Sequence, residues 1–166
     1  IGALRRQEAP NLPRLRVRSL HVPIKLTKEV RKAMDGLSPQ QIMAALDSDD
    51  EVMAKIWKII GLAKVPEIVP YCGDLMRDGP LLIGCWHRDV MTEYEKELKK
   101  LGKTVMQVHG GTPDRQRDQI RIDFNNGDLD CIVGQMRAMG TSWNLQEACS
   151  NVVIAETYPS PSTIEH

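Results

Sequence analysis

The sequence predicts an α/β fold, a parallel sheet flanked by helices and preceded by a helical extension. Three observations lead there. From Leu81 onward, strand-type runs alternate with helix-type runs, the order strand, helix, strand, helix, strand. The first run, Leu81-Leu82-Ile83-Gly84-Cys85-Trp86, is apolar without alternation, which marks a strand covered on both faces. Between the runs stand helix-stop signals, Gly102 and Asn126-Gly127.

In chain order, residues 1–26 read as an extended linker, because Pro10, Pro13 and Pro23 break helices and Val17–Ile24 has β-type content. Residues 27–64 read as a helical extension. Thr27 can cap a short helix towards Met34. Ser38-Pro39-Gln40-Gln41 and Ser48-Asp49-Asp50-Glu51 are capping boxes. After the second, Val52, Ile56, Ile59, Ile60 and Ala63 form one apolar stripe. A separate helix is expected around Ile68–Arg77, with Pro66 and Pro70 in or near its first turn and Gly79 beyond its end. Residues 65–166 then make the α/β lobe. Asp89 opens a helix with the stripe Val90, Tyr94, Leu98 and Leu101; Lys99 and Lys100 suit its negative end. Thr104–Val108 is a strand, Thr112-Pro113-Asp114 starts a helix running to Phe124, and Cys131–Gly134 and Asn151–Ala155 are strands.

Ligands of a parallel sheet sit at the carboxyl ends of its strands. Those ends lead into His87-Arg88, His109-Gly110-Gly111-Thr112, Gln135-Met136-Arg137 and Glu156-Thr157. The polar and glycine-rich residues therefore converge on one edge.

Composition narrows the class. The chain has 166 residues, 42% hydrophobic and 27% charged, with a formal net charge of zero, so bulk charge does not argue for nucleic acid. No apolar run is long enough to span a membrane. The arginines at 5, 6, 14, 16 and 18 read as a solvated linker or as a DNA-facing strip, the linker being the simpler. Cys72, Cys85, Cys131 and Cys149 lack CxxC spacing and read as free thiols, with no metal site expected.

Two motifs are decoys. Gly102-Lys103-Thr104 resembles the end of a P-loop, but Glu97 stands where the first glycine belongs, and the helix precedes the strand instead of following it. His109-Gly110-Gly111 resembles an esterase oxyanion loop, but the chain has no G-x-S-x-G nucleophile elbow. Gly110-Gly111 reads either as a tight turn or as a helix N-terminus whose N–H groups meet a phosphate, capped by Thr112. The helix from Pro113 to Phe124 is mostly polar, a solvated face or a presenter of arginines.

Several segments occur together in order. They are Ile60-Gly61-Leu62-Ala63-Lys64-Val65-Pro66, Leu82-Ile83-Gly84-Cys85-Trp86-His87-Arg88-Asp89-Val90, and His109-Gly110-Gly111-Thr112 with Arg117 and Phe124-Asn125-Asn126-Gly127. They continue with Gln135-Met136-Arg137-Ala138-Met139-Gly140 and Asn144-Leu145-Gln146-Glu147-Ala148-Cys149-Ser150-Asn151-Val152-Val153. This series resembles the C-terminal, RecA-like lobe of superfamily-2 helicases of the Swi/Snf type, and within it the HepA-related annealing helicases and their bacterial and phage relatives. The resemblance covers about residues 58–166.

The resemblance implies a lobe that closes on a first RecA-like lobe across ATP and magnesium and moves along double-stranded or branched DNA. It implies nucleic-acid contacts at His87, Arg88, Gly111, Thr112, Gln135 and Arg137, and a nucleotide cleft at Gly140, Thr141, Ser142 and Asn144. Gln135 stands where the family has Ser or Thr. Ser142 and Trp143 stand where it has Gly and Leu, and approach a ligand less closely than Gly does. It further implies that the arginine-finger motif lies beyond His166, so that this lobe alone is expected to be inactive, to bind no cofactor tightly, and to self-associate through an uncovered sheet edge. The compartment implied is cytoplasmic for a bacterial or phage protein and nuclear for a eukaryotic one. The rival from another class is a non-catalytic nucleic-acid or protein binding module. An unrelated enzyme on such a sheet would need a nucleophile–base pair or a cofactor glycine fingerprint, and neither is present.

Overall fold

The computed structural model describes residues 16–23, 28, 31–32, 35, 51–139, 143, 145, 148–149 and 151–156. Residues 16–23 form neither helix nor strand, and Lys28, Arg31 and Lys32 are helical. Among the described residues the first complete element is α1 (Glu51–Leu75), which starts at Glu51, the last residue of the Ser48 box. There follow β1 (Leu81–Cys85), α2 (Arg88–Lys100), β2 (Val105–Val108), α3 (Asp114–Asn125), β3 (Cys131–Gln135), the single turn α4 (Met136–Met139) and β4 (Asn151–Ile154).

The two helices expected on either side of Pro66 are one. Pro66 and Pro70 lie inside α1, and both are exposed. A proline within a helix leaves the carbonyl four residues earlier without its N–H partner. Both prolines are on the wet side, so their rings leave the packed face undisturbed, and the helix continues through the expected division at 64/65.

All the strand pairs are parallel, in the order β2-β3-β1-β4. Strand alternation divides the apolar side chains between two faces. Leu81, Ile83, Cys85, Val105, Cys131 and Val133 meet α1 and α2 through Val65, Ile68, Cys72, Val90, Met91, Tyr94 and Leu98. On the other face, Val108 and Ile132 meet Ile120 and Phe124 of α3, with Leu82, Met106, Trp143 and Leu145 beside them. The α2 stripe differs from expectation at one end: Met91 is fully buried, whereas Leu101 is 53% exposed because it sits at the helix C-cap. At the β4 edge, Val152 and Ile154 are exposed.

Two of the stops are left-handed. Gly102 (φ 75°) and Gly127 (φ 82°) adopt the conformation that side chains disfavour. Each closes its helix with a pair of backbone bonds: Lys103 N–H donates to Leu98 and Gly102 N–H to Lys99, Asp128 N–H to Asp123 and Gly127 N–H to Phe124. The P-loop decoy is thus a helix end at the amino edge of the sheet. There Thr104 is tied to Asp130, whose Oδ2 accepts both the Thr104 N–H (2.8 Å) and hydroxyl (2.9 Å).

Candidate functional site at the carboxyl edge

The sheet order dictates where its crevice opens. From β1 the chain leaves towards β2; from the adjacent β3 it crosses back to β4. Neighbouring strands whose connections depart in opposite directions leave a gap between their carboxyl ends. Trp86-His87-Arg88 and Gln135-Met136-Arg137 line that gap.

Gln135, the last residue of β3, bridges the loops on both sides. Its Oε1 faces the Gly110 N–H at 3.4 Å, and its Nε2 donates to the Trp86 carbonyl at 3.3 Å. Arg137 stacks its guanidinium over the Trp86 ring, 4.6 Å from the centroid. The expected loop after β3 is a helical turn instead, because two glycines make room for it. Gly84 and Gly134 are register partners. A Cβ on Gly84 would lie 3.3 Å from Met136, and one on Gly134 would overlap Met139. Met136 and Met139 therefore rest on a glycine floor, while the Arg117 guanidinium donates to the Ala138 carbonyl and lies 5.4 Å from the Trp143 ring centroid.

The loop after β2 folds on itself. Thr112 is buried. Its hydroxyl accepts the His109 N–H (3.0 Å) and its own N–H donates to the His109 carbonyl (2.9 Å). It was expected to cap α3, but that helix has Pro113 at its N-cap and no side-chain cap. Thr112 closes the turn one step earlier.

His109 carries an unbalanced set of partners. Its Nδ1 accepts the Gly111 N–H at 3.1 Å, and its Nε2 lies 2.9 Å from Arg88 Nη2. A neutral imidazole has one lone-pair nitrogen, whereas both neighbours are donors. The backbone N–H cannot turn away. The guanidinium, on a flexible stem, is the surplus donor, and among the described residues Arg88 has no carboxylate partner.

The Trp86–Arg88 loop is closed from β4. Glu156, 6% exposed, follows that strand. Its Oε2 accepts the N–H groups of Trp86 (2.9 Å) and His87 (3.0 Å), and its Oε1 lies 2.7 Å from His87 Nδ1. Since an ionised carboxylate only accepts, the His87 proton is on Nδ1. His87 is the N-cap of α2 without a side-chain cap bond of its own.

A family model, "Helicase conserved C-terminal domain", matches residues 62–166, more than half of the chain. The chain belongs to that family. No curated protein matches it. Among solved structures, this helicase C-terminal domain is similar to the "Sulfolobus solfataricus SWI2/SNF2 ATPase C-terminal domain" (18% identity, TM-score 0.54, covering 78% of this chain and 64% of that one). It is also similar to the C-terminal part of the Fun30 ATPase domain (16%, 0.54, covering 82% and 46%). A third likeness is to the Pyrococcus furiosus Hef helicase domain (19%, 0.50, covering 82% and 30%). At these identities the likeness establishes the fold, and the chain spans less than two thirds of each of those chains.

Within the helicase domain, the structure brings together His87, Arg88, Gln135 and Arg137, with Gly111 and Thr112 on the adjoining turn. Gly140, Thr141, Ser142 and Asn144 lie outside the described residues. Among the described residues no three His, Cys, Asp or Glu side chains group as metal ligands, and no helix is long and apolar enough to cross a membrane. Three contributors had no assigned role in the sequence reading: Glu156, His109 as partner of Arg88, and Gly61 of α1. A Cβ on Gly61 would lie 2.4 Å from Glu156 Oε1. The signal for Glu156 was present, a carboxylate directly after an apolar strand, but its partners are about 70 residues away.

Proposed function

We propose that this chain is the second lobe of an ATP-dependent DNA translocase of the Swi/Snf type, in the branch of the HepA-related annealing helicases. In this reading the whole protein closes this lobe on a first RecA-like lobe across ATP and grips double-stranded or branched DNA by its backbone. His87, Arg88, Gly111, Thr112, Gln135 and Arg137 form one wall of the DNA track. Gly140, Thr141, Ser142 and Asn144 face the nucleotide. The chain contains no P-loop and no acidic run after a strand, so ATP phosphates and magnesium are held from the first lobe and this chain alone does not turn ATP over.

The observation that carries the reading is the surplus donor. Arg88 shares with a backbone N–H an imidazole that can satisfy only one of them. A phosphate oxygen supplies the missing acceptor, and such contacts need no base sequence. Gly110-Gly111 at the same edge lets backbone approach closely.

The test is ATP hydrolysis by the polypeptide carrying both lobes, with and without linear and forked duplex DNA. Stimulation by DNA is expected. Arg88→Ala is expected to weaken binding alike on unrelated sequences and to lower the salt slope by roughly one unit. If no DNA stimulates hydrolysis, the motor reading fails and the domain is a non-catalytic binding module.

A further inference from the structure

We propose that Glu156 is the positioning residue of the DNA-facing Trp86–Arg88 loop, fixing it to the end of β4 and to α1. This rests on the DNA-track reading above.

Four structural elements meet at this one carboxylate. It follows β4, accepts the first two N–H groups after β1, holds the imidazole at the N-cap of α2, and lies against α1 at Gly61. Backing is tight, since a Cβ on Gly61 would also stand 2.9 Å from Val90 Cγ2 of α2. A carboxylate that is 6% exposed is stable there only because three donors converge on it. The β4 end is itself tied to β1, for Ala155 N–H donates to the Gly84 carbonyl at 2.9 Å.

The consequence reaches the groups that would meet DNA. Trp86 carries the Arg137 stack on its ring and accepts from Gln135 at its carbonyl. Arg88 begins α2 immediately after His87. With Trp86 N–H and His87 N–H both held by Glu156, the loop is anchored where Arg88 leaves it and where the Trp86 ring meets Arg137 of α4. Without the carboxylate, two part-buried N–H groups and the His87 ring lose their acceptor, Arg88 loses a fixed base, and Arg137 loses the anchored ring that it stacks on. A displacement of the chain just after β4 is then felt at the DNA wall through this one side chain.

The chemistry provides a conservative variant. In Glu156→Gln, the amide oxygen still accepts the two backbone N–H groups. The amide N–H₂ can donate to His87 Nδ1, provided the ring proton moves to Nε2. The loop is kept and the tautomer is reversed. Glu156→Ala keeps nothing.

The experiment uses the 166-residue chain as wild type, Glu156→Gln and Glu156→Ala, at a temperature where circular dichroism shows all three folded. Imidazole ¹⁵N spectra read the His87 tautomer, amide exchange reads Trp86 and His87, and titration with a labelled duplex reads DNA affinity. The proposal expects Nδ1–H in the wild type and Nε2–H in Glu156→Gln, with both amides protected in each. It expects DNA affinity in Glu156→Gln within about twofold of wild type, and roughly tenfold weaker in Glu156→Ala, the size of losing one charge-assisted contact. Equal DNA affinity in wild type and Glu156→Ala overturns it, as does an Nε2–H tautomer in the wild type. If the wild type shows the expected tautomer and protection but binds no duplex, the DNA-track reading has failed and the positioning role falls with it, while the carboxylate's contacts stand.

Discussion

Two glycines of α1 are expected to respond to alanine with opposite signs. Gly61 and Gly73 lie in the same helix, Glu51–Leu75. In each, alanine relieves the backbone entropy penalty of a helical glycine, worth about 0.8–1 kcal/mol in a helix interior and less near an end. At Gly73 the new Cβ meets only Leu101 Cδ1, at 3.6 Å, an ordinary contact, so Gly73→Ala is expected to stabilise by about 0.5 kcal/mol. At Gly61 it would stand 2.4 Å from Glu156 Oε1, 3.0 Å from Glu156 Cδ and 2.9 Å from Val90 Cγ2. Either the carboxylate leaves its three donors or α1 shifts away from α2. Hydrogen bonds to a charged group contribute about 1.5–3 kcal/mol each, so the shift is the cheaper route, at about 1–3 kcal/mol of overpacking. The propensity gain largely cancels between the two variants, and the difference between them is therefore about 1–3 kcal/mol. Urea unfolding followed by circular dichroism and tryptophan fluorescence measures it. In a Glu156→Ala background the obstacle shrinks to Val90 alone, and the Gly61→Ala penalty is expected to fall, a coupling that a double-mutant cycle reads directly. Gly61→Ala as stable as Gly73→Ala would refute the packing argument and, with it, the closeness of α1 to the carboxylate.

Other outcomes follow from the same structure. Tyr94 is fully buried and its hydroxyl has no hydrogen-bond partner among the described residues. Tyr94→Phe is therefore expected to stabilise by about 1 kcal/mol in urea unfolding, as an unsatisfied buried hydroxyl is removed. For Asp130, burial raises the carboxyl, but the Thr104 N–H and hydroxyl and the Lys103 ammonium outweigh it and leave the pKa below its ordinary 3.8. A lowered folded pKa means stability that is present above 3.8 and lost as the pH falls through the folded value. Asp130→Ala is expected to cost about 2 kcal/mol at neutral pH, and its difference from wild type to shrink in acid unfolding series. Burial pushes the Cys72 thiol up to about 12 and raises Cys85 and Cys131 as well. Mapping by alkylation and mass spectrometry is expected to label the partly exposed Cys149 first, and the other three only on unfolding.

Much of this lobe was legible in one dimension because its signals are local. The non-alternating run Leu81–Trp86 marked a strand buried on both faces, and Gly102 and Gly127 marked helix ends that need positive φ. The same rules separated the Gly102-Lys103-Thr104 decoy from a true P-loop, and the convergence of His87-Arg88, His109–Thr112 and Gln135–Arg137 on one edge followed from the parallel order alone. What the sequence could not determine was set by contacts between distant segments. Pro66 and Pro70 argued for a break in α1, yet the helix continues because tertiary packing buries its other side and leaves the prolines in water. Thr112 looked like a cap for α3, but its hydroxyl found the nearer His109 N–H. The turn Met136–Met139 exists because strand register sets Gly84 beside Gly134, which no local pattern reveals. Glu156 gained its role only when the β4 end came alongside β1 and α1. A carboxylate's partners are fixed by which backbone N–H groups folding leaves unpaired beside it, and that is decided in three dimensions.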